Sequence, residues 1–203
     1  MLVHGVELIE DGDMVIRHQQ QTGVPFEGES VAAWIDACKP GGVAIDVGAY
    51  TGLYAILASQ NGAQSHAFEP NPAVFSRLSE NVRANRATVN CYCCAASNFN
   101  GQVEFVGRPS VALTSGGKVK EGSGTECATI DRMSFERVTA IKIDAEGHEL
   151  EVLRGAIETI RRDNPLIITE ALSVAANQAQ DCFLTPLGYK SRKADQWNLI
   201  WEA

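Results

Sequence analysis

The amino-acid sequence predicts an α/β protein built on a doubly wound, mainly parallel β-sheet. Short apolar runs bounded by turn residues alternate along the chain with stretches whose apolar residues recur at helical spacing. This alternation is typical of strand–helix–strand units, in which helices cover a parallel sheet. At 203 residues, the chain is expected to form one domain, with residues 1–38 as an N-terminal extension and helix and residues 39–203 as the sheet-containing core.

Composition and charge limit the classes of partner. A hydrophobic content of 45% and a charged content of 21% are ordinary for a globular protein. The net charge of −8 disfavours a nucleic-acid backbone or an anionic membrane surface as the main partner. No apolar run approaches the roughly 18 residues that a membrane span needs, and the N-terminus is acidic where a secretory signal would be basic. We therefore expect a cytoplasmic protein, whose oligomeric state the sequence does not indicate.

The cysteines do not predict a metal site. Cys91-Tyr92-Cys93-Cys94 lies in an apolar, strand-like run, without a second Cys-x-x-Cys and without a nearby histidine at ligand spacing. We interpret the cysteines as small buried thiols.

The N-terminal segment carries the weakest pattern. Leu2–Leu8 and Met14–Arg17 are expected to form a short hairpin that turns at Asp11-Gly12-Asp13. A helix capped by Glu29 or Ser30 should follow. The apolar face of that helix comprises residues at helical spacing, namely Val31, Trp34, Ile35 and Cys38.

The clearest strand–turn–helix pattern begins at Val43. Val43–Val47 is an apolar run interrupted by Asp46, which predicts a buried strand, and an apolar helical pattern runs from Gly52 to about Gln60. Gly48 and Gly52 would let the backbone approach a ligand, and an acid at the strand tip can reach a ligand hydroxyl or amine. This turn therefore predicts a nucleotide-type site.

Three later predicted strands also end in an acid, namely Ser65–Glu69, Thr139–Asp144 and Leu166–Glu170. Because the carboxyl ends of parallel strands meet at one edge of a sheet, these acids and Asp46 are expected to line one ligand site. The interval from Asp46 to Glu69 is close to the offset of about 20 residues at which dinucleotide-binding folds place a ribose-binding acid. The first turn lacks the G-x-G-x-x-G pattern and places its acid ahead of the first glycine. We therefore favour a nucleoside with a cationic or amino tail over a pyrophosphate.

The remaining elements continue the alternation. Asn71 and Pro72 are typical of a helix N-cap and a first helical residue. The other predicted strands are Thr88–Cys94, Gln102–Val106 and Glu126–Ile130, with a closing hairpin of Tyr189–Lys193 and Asn198–Trp201. The other predicted helices are one with Leu150, Leu153, Ile157 and Ile160 on its apolar face and one over about 174–184. Residues 107–125, rich in Gly, Ser and Lys, are expected to form a long loop that is either functional or disordered.

With these motifs placed, the chain resembles the FkbM family of S-adenosylmethionine-dependent methyltransferases. The resemblance covers roughly Lys39 to Tyr189. The blocks that carry it are Ile45–Gly52, Ala67–Pro72, Ala95–Gly101 and, most specific, Ile141–Ala156 with the sequence IKIDAEGHELEVLRGA. The resemblance implies a class I methyltransferase fold, a Rossmann-like three-layer sandwich whose mainly parallel seven-stranded sheet ends in an antiparallel hairpin. It also implies methyl transfer to oxygen, often to a hydroxyl of a sugar or natural product, so the expected partner is a small hydroxylated molecule.

Site residues follow from the resemblance, position by position. The methionine part of the cofactor would be lined by Asp46, Gly48, Ala49, Tyr50 and Gly52. Glu69, followed by Pro70, would hold the ribose, while Ala95 and Ala96 would flank the adenine. The family usually has Asn where this chain has Tyr50, whose ring could cover the substrate side or pack on the first helix.

Methyl transfer to an alcohol requires alignment and a base near the hydroxyl. The candidates lie in or beside the loop after the strand, namely Asp144, Glu146, His148 and Glu170. His148 has a suitable ordinary pKa, and Asp144 is expected to lie nearest the methyl group. A divalent cation on Asp144 and Glu170 is an alternative, although we predict catalysis without a metal. Lys142, on the same strand face as Asp144, is expected to pair structurally with Glu146 or Glu170.

Two other functions fit parts of the same pattern. An NAD-dependent oxidoreductase would share the sheet and the ribose-binding acid, although the missing G-x-G-x-x-G counts against it. A non-catalytic nucleoside-binding module of the same fold would bind the cofactor without turnover.

Overall fold

The computed structural model describes residues 1–9, 12–106, 118–122 and 124–203. Its helices are α1 (Met14–Thr22), α2 (Gly28–Ala37), α3 (Leu53–Gln60), α4 (Pro72–Ala84), α5 (Glu149–Arg154), α6 (Ile157–Asp163) and α7 (Val174–Leu184). Its first strands are β1 (Leu2–Val3), β2 (Val6–Glu7), β3 (Val43–Val47), β4 (Gln64–Phe68), β5 (Val89–Tyr92), β6 (Ala95–Ala96) and β7 (Gly101–Val106). Its later strands are β8 (Lys118–Glu121), β9 (Thr125–Ala128), β10 (Val138–Ile143), β11 (Leu166–Glu170), β12 (Lys190–Lys193) and β13 (Asn198–Glu202).

A seven-stranded sheet with the order β12-β13-β11-β10-β3-β4-β5 forms the centre of the molecule. β3, β4, β5, β10 and β11 run parallel, whereas β13 pairs antiparallel with both β11 and β12. The chain winds outward from β3 to β5 and then returns to the other side of β3 as β10, so the strand order reverses between β3 and β10. The predicted doubly wound sheet with a C-terminal antiparallel hairpin is confirmed.

The pleat of the strands divides the core into two layers. Ala44 of β3 packs with α2, α3 and α4 on one face of the sheet, whereas Ile45 packs with α5, α6 and α7 on the other. Asp46, one residue further, therefore lies on the face of Ala44, and Lys142 lies beside it in strand register. The alternation thus brings two buried charged residues together under α3.

A second sheet with the order β6-β9-β7-β8 lies outside the central one. The strands predicted at 102–106 and 126–130 exist, but both belong to this second sheet. The predicted loop at 107–125 is wrong at 118–121, where β8 pairs antiparallel with β7. Residues 107–117 and 123 lie outside the described residues.

The N-terminal segment differs from its prediction. The hairpin of β1 and β2 turns at His4 and Gly5, and the predicted strand at 14–17 is instead the first part of α1. Asp13 caps this helix by accepting a hydrogen bond from the backbone N–H of Ile16 at 3.1 Å. Asp11, in the predicted turn, is outside the described part of the chain.

The single helix predicted from the spacing of Leu150, Leu153, Ile157 and Ile160 is two helices, α5 and α6. A Cβ on Gly155, between α5 and α6, would lie 1.9 Å from the carbonyl oxygen of Ser97, so only glycine lets these two segments meet. Asp131 then caps α6, since its carboxylate accepts hydrogen bonds from the backbone N–H groups of Glu158 and Thr159 at 3.0 and 2.9 Å. The apolar spacing continues across the break, which is why the sequence pattern does not reveal it.

The cysteines are buried only in part. Cys38 and Cys127 are buried, Cys91 and Cys94 are half-buried, and Cys93 and Cys182 are exposed. Within the Cys91–Cys94 run, the expectation of buried thiols is therefore wrong for Cys93. None of the described helices combines the length and the apolarity that a bilayer crossing requires.

Candidate active site

A cavity of about 730 Å³ opens at the carboxyl edge of the seven-stranded sheet. Its wall is built from the ends of β3, β4, β10 and β11 and from the start of β13. Strand β6 and the connection between α1 and α2 complete it. It includes the point between β3 and β10 where the strand order reverses, which is where open α/β sheets bind their ligands. The volume lies within the range of about 300–1,000 Å³ typical of small-molecule and cofactor sites.

The predicted site residues at this wall are Asp46, Gly48, Ala49, Tyr50, Glu69, Pro70, Ala95, Ala96, Asp144, Glu146, His148 and Glu170. Gly52 is not part of the described wall. A Cβ on Gly52 would lie 2.5 Å from Cδ1 of Leu78, so this glycine makes room for α4 behind the turn.

The turn after β3 is held tightly against its neighbours. The N–H groups of Gly48 and Ala49 both donate to the carbonyl of Phe68, at 2.9 and 3.0 Å. Gly48 has a φ of +75°, and a Cβ there would lie 1.8 Å from the carbonyl oxygen of Asp144. Glycine is therefore required at this position, because the turns after β3 and β10 are in contact at the centre of the site.

Asp46 lies within β3, where its carboxylate fixes the position of α3. The side chain is 3% exposed, and its Oδ2 accepts a hydrogen bond from the N–H of Ala55 at 3.1 Å. Burial raises the pKa of Asp46 to about 7, although the nearby cation of Lys142 opposes this shift. Asp46 therefore combines a place at the cavity wall with a structural contact.

Lys142 connects several groups at the base of the cavity. Its Nζ lies 3.1 Å from Oδ2 of Asp144, so the ion pair expected with Glu146 or Glu170 is instead formed with Asp144. The same Nζ lies 5.2 Å from the ring centroid of Tyr54, whose hydroxyl donates to Glu27 at 2.7 Å.

Burial alone would lower the pKa of Lys142, but the carboxylates of Asp144, Glu27 and Asp46 outweigh it and raise the pKa. These carboxylates therefore favour the charged form of Lys142. The sequence pattern did not mark Tyr54, since it does not end a strand, whereas the segment around Phe26 and Glu27 was expected to contact the acceptor and does line the cavity.

Glu69 has the geometry expected of a hydroxyl-binding carboxylate. Its two oxygens accept hydrogen bonds from the N–H groups of Asn71 at 2.9 Å and Tyr50 at 3.1 Å. Each oxygen keeps a further lone pair for a ligand. Burial raises the pKa of Glu69 to about 7, although the two N–H donors oppose this shift. Phe68 and Val74 add apolar surface to the same part of the wall.

Tyr50 connects the first turn to the N-terminal helix. Its backbone is left-handed, with a φ of 49°, and its hydroxyl accepts a hydrogen bond from the N–H of Met14 at 3.2 Å. The half-buried ring lies at the cavity wall and packs against the core layer of α1–α4. The tyrosine at this family Asn position therefore reaches the start of α1.

The loop after β10 is organised by Glu149, which sequence analysis missed. Its Oε1 accepts hydrogen bonds from the N–H groups of Ala145 and Gly147 at 3.0 and 2.9 Å. Nε2 of His148 lies 2.8 Å from the hydroxyl of Ser97, so His148 is directed toward the residues that follow β6. Burial lowers the pKa of His148. The position of this acid directly after the loop could have identified Glu149 from the sequence, since such a carboxylate can accept hydrogen bonds from backbone N–H groups of the loop.

Glu170 and Asn198 face each other in the register of β11 and β13. Both line the cavity, but the sequence analysis did not select Asn198. Burial, with the negative charges of Asp144 and Glu146 nearby, raises the pKa of Glu170 to about 8. Among the described residues, Oε2 of Glu170 and both side-chain amide atoms of Asn198 are buried without a hydrogen-bond partner.

No group of three or more His, Cys, Asp and Glu side chains within the described ranges is arranged to hold a metal ion. The alternative of a cation on Asp144 and Glu170 stays a hypothesis.

Comparison with known protein sequences identifies relatives of this chain. A family profile for the methyltransferase FkbM domain matches residues 46–196. The hexuronic acid methyltransferase AglP of Haloferax volcanii is 31% identical over 149 residues, which cover 70% of this chain and 61% of AglP. The 31-O-demethyl-FK506 methyltransferase FkbM of Streptomyces tacrolimicus is 35% identical over 80 residues, which cover 38% of this chain and 31% of that protein. The match therefore spans less than two thirds of either relative.

Solved structures show the same fold at lower sequence identity. Methyltransferase FkbM from Methylobacillus flagellatus has a TM-score of 0.60 at 19% identity, covering 80% of this chain and 43% of that one. SMU.1697c from Streptococcus mutans, in complex with SAH, has a TM-score of 0.55 at 11% identity and covers 88% of this chain and 98% of that one. These neighbours share the Rossmann-like methyltransferase sheet. The profile match over most of the chain shows that this protein belongs to the FkbM methyltransferase family.

Proposed function

We propose that this protein transfers a methyl group from S-adenosylmethionine to a hydroxyl of a small molecule of the sugar or natural-product type. The observation that carries the proposal is that one cavity joins Glu69 and Gly48, on the nucleoside side, to Asp144 and Glu170 on the other. The names of AglP and FkbM specify a hexuronic acid and 31-O-demethyl-FK506 as their substrates, which supports a hydroxylated acceptor.

The cavity wall fits a nucleoside with a cationic tail. Glu69 keeps lone pairs for two neighbouring ribose hydroxyls, and Phe68 and Val74 provide apolar surface for a base. The carboxylates beside Gly48 favour positive charge at the centre of the cavity. When bound, S-adenosylmethionine supplies a methyl group activated by its sulfonium, so the protein need only align the acceptor and remove its proton.

Glu170 is the group best placed to take that proton. One of its oxygens has no partner within the described part of the chain, whereas Asp144 is already paired with Lys142. The pKa of Glu170, raised to about 8 chiefly by burial, makes its carboxylate a stronger base than an ordinary glutamate. Glu170 would take up the hydroxyl proton as the acceptor oxygen is methylated, and S-adenosylmethionine would supply the methyl group and leave as S-adenosylhomocysteine. The Lys142–Asp144 pair would hold the adjacent loop in position.

The proposal is tested by binding and turnover together. Titration calorimetry with S-adenosylhomocysteine and with NAD separates a methyltransferase from an oxidoreductase, and we expect only the first ligand to bind. Transfer of a labelled methyl group to a panel of hydroxylated compounds should then fall about 100-fold in Glu170→Gln, with unchanged S-adenosylhomocysteine affinity. Glu158→Gln, at an exposed position, is the matched control. Binding of NAD alone, or no transfer to any hydroxyl by protein that binds S-adenosylhomocysteine, would contradict the proposal.

A further inference from the structure

The cavity end formed by β11 and β13 contains polar atoms that the described residues leave unsatisfied. Asn198 is 1% exposed, yet its side-chain atoms Oδ1 and Nδ2 have no hydrogen-bond partner among the described residues. Oε2 of the neighbouring Glu170 is likewise buried without a hydrogen-bond partner among them. A buried polar group left unpaired costs on the order of 1–3 kcal/mol. Two such groups side by side at a cavity wall indicate that a polar ligand completes their hydrogen bonds.

The loop that precedes Asn198 is anchored at this end of the cavity. The carboxylate of Asp195 accepts hydrogen bonds from the N–H of Ser30, at 3.0 Å, and from the Ser30 hydroxyl. The carbonyl of Trp197 accepts from the N–H of Ala171 at 2.9 Å. The side chain of Trp197 nevertheless remains 51% exposed and lines the cavity. The backbone thus holds an aromatic ring at the cavity mouth, beside the unsatisfied polar atoms.

We propose that Trp197, Asn198 and Glu170 form the acceptor subsite and that this subsite takes an uncharged, polyhydroxylated ring such as a neutral pyranoside. The inference rests on the proposed function, because it assumes a hydroxylated acceptor. The amide of Asn198 both donates and accepts, so it can pair with two adjacent ring hydroxyls. The carboxylate of Glu170 accepts from the reacting hydroxyl. The face of the Trp197 ring covers the apolar C–H side of the sugar.

The charge of the cavity distinguishes a neutral sugar from a uronic acid. The described wall contains seven carboxylates, namely Glu27, Asp46, Glu69, Asp144, Glu146, Glu170 and Asp195. Lys142 is the one lysine of that described wall, which contains no arginine, and its amino group is already paired with Asp144. A uronate carboxylate would therefore meet like charges and would not find an unpaired lysine or arginine among the described wall residues. On this basis the acceptor differs from the hexuronic acid named for AglP.

The test measures sugar binding directly, on protein saturated with S-adenosylhomocysteine. The probes are the methyl glycosides of glucose, galactose, mannose and rhamnose, together with methyl glucuronide, and the readout is saturation-transfer NMR. We expect at least one neutral glycoside to bind about tenfold more tightly than the glucuronide. That affinity should fall about tenfold in Trp197→Ala and in Asn198→Leu. Leu2→Ala, which removes an exposed apolar side chain of β1 outside the cavity wall, should leave it unchanged.

Three results overturn the inference. They are tighter binding of the glucuronide, unchanged glycoside binding in both subsite variants, and no glycoside binding by protein that binds S-adenosylhomocysteine. Calorimetry of each variant with S-adenosylhomocysteine shows that the cofactor side is still folded. Failure of the wild-type protein to bind S-adenosylhomocysteine would instead contradict the proposed function.

Discussion

At the residue scale, Lys142 supplies a positive charge at the base of a cavity whose described wall is otherwise rich in carboxyl groups. Its buried amino group is paired with Asp144 and lies next to Asp46 in strand register. The ring of Tyr54 covers it from the side of α3. The positive charge of Lys142 thus offsets part of the negative charge of the nearby carboxylates, whose pKa values burial would otherwise raise further.

Replacing this cation should destabilise the protein. In Lys142→Met, Asp46 and Asp144 lose their buried counter-charge, and we expect the free energy of unfolding to fall by about 3 kcal/mol. Urea denaturation at neutral pH measures the change, with Lys193→Met at an exposed position of β12 as the control. A loss no larger than that of the control would show that the pair adds nothing to stability.

Glu170 should control the pH dependence of turnover. Because its pKa is raised to about 8, chiefly by burial, the carboxylate form that accepts a proton grows as the pH rises toward that value. The rate of methyl transfer to the acceptor that the panel identifies should therefore rise with pH through about 8 and level off only above that value. Glu170→Gln should remove this rise together with most of the rate. A rate that is independent of pH between 6 and 8 in the wild type would assign the proton to another group.

At the element scale, the junction of α5 and α6 holds the loop after β10 against β6. Gly155 lies in contact with the backbone of Ser97, and the hydroxyl of Ser97 lies 2.8 Å from Nε2 of His148. The position of the candidate catalytic loop therefore depends on a contact between helix and strand backbones, and not on the loop alone.

A methyl group at this junction should be poorly tolerated. Gly155→Ala places a Cβ 1.9 Å from a backbone carbonyl oxygen, which cannot rotate away as a side chain can. We expect a loss of about 2 kcal/mol or more in the free energy of unfolding. Gly28→Ala is the matched control, because Gly28 begins α2 with open space around it, and alanine there should be neutral or slightly stabilising. Equal stabilities of the two variants, measured by urea denaturation, would disprove the close contact.

At the scale of the whole molecule, the central sheet gathers carboxyl groups from distant parts of the chain. Burial raises the pKa of Asp46 and of Glu69 to about 7, and that of Glu170 to about 8. Between about pH 5 and 8 the folded protein therefore holds protons that the unfolded chain, with ordinary carboxyl pKa values near 4, has released. The site thus lowers the stability of the fold as the pH rises.

We expect the free energy of unfolding to fall as the pH rises from about 6.5 to 8. Burial lowers the pKa of His66 and His148, which acts in the opposite direction, but that effect fades as the pH rises past the ordinary histidine pKa of about 6.5. Urea denaturation at constant ionic strength measures the trend. Glu170→Gln should show a shallower decline, because it removes one of the titrating groups. Stability that stays constant or rises over this range would contradict the pKa shifts.

Local patterns in the sequence were enough to predict the alternation of strands and helices, the strand-end acids and the family. These features depend on local periodicity and on short spacings, which can be read without knowing what packs against what. The helix N-cap at Asn71 was predicted for the same reason, and the structure confirms it. The acids of the site were found because parallel strands must end at a common edge.

The folded molecule was needed to find the partner of Lys142, the break at Gly155 and the place of Asn198 in the cavity. Each depends on a contact across strands or between segments far apart in the sequence, and no local pattern encodes it. Asn198 occupies the cavity because β13 pairs antiparallel with β11 and brings its first residue beside Glu170. Strand register and the close approach of backbones therefore place the side chains that the acceptor would meet, since both arise only when the sheet is assembled.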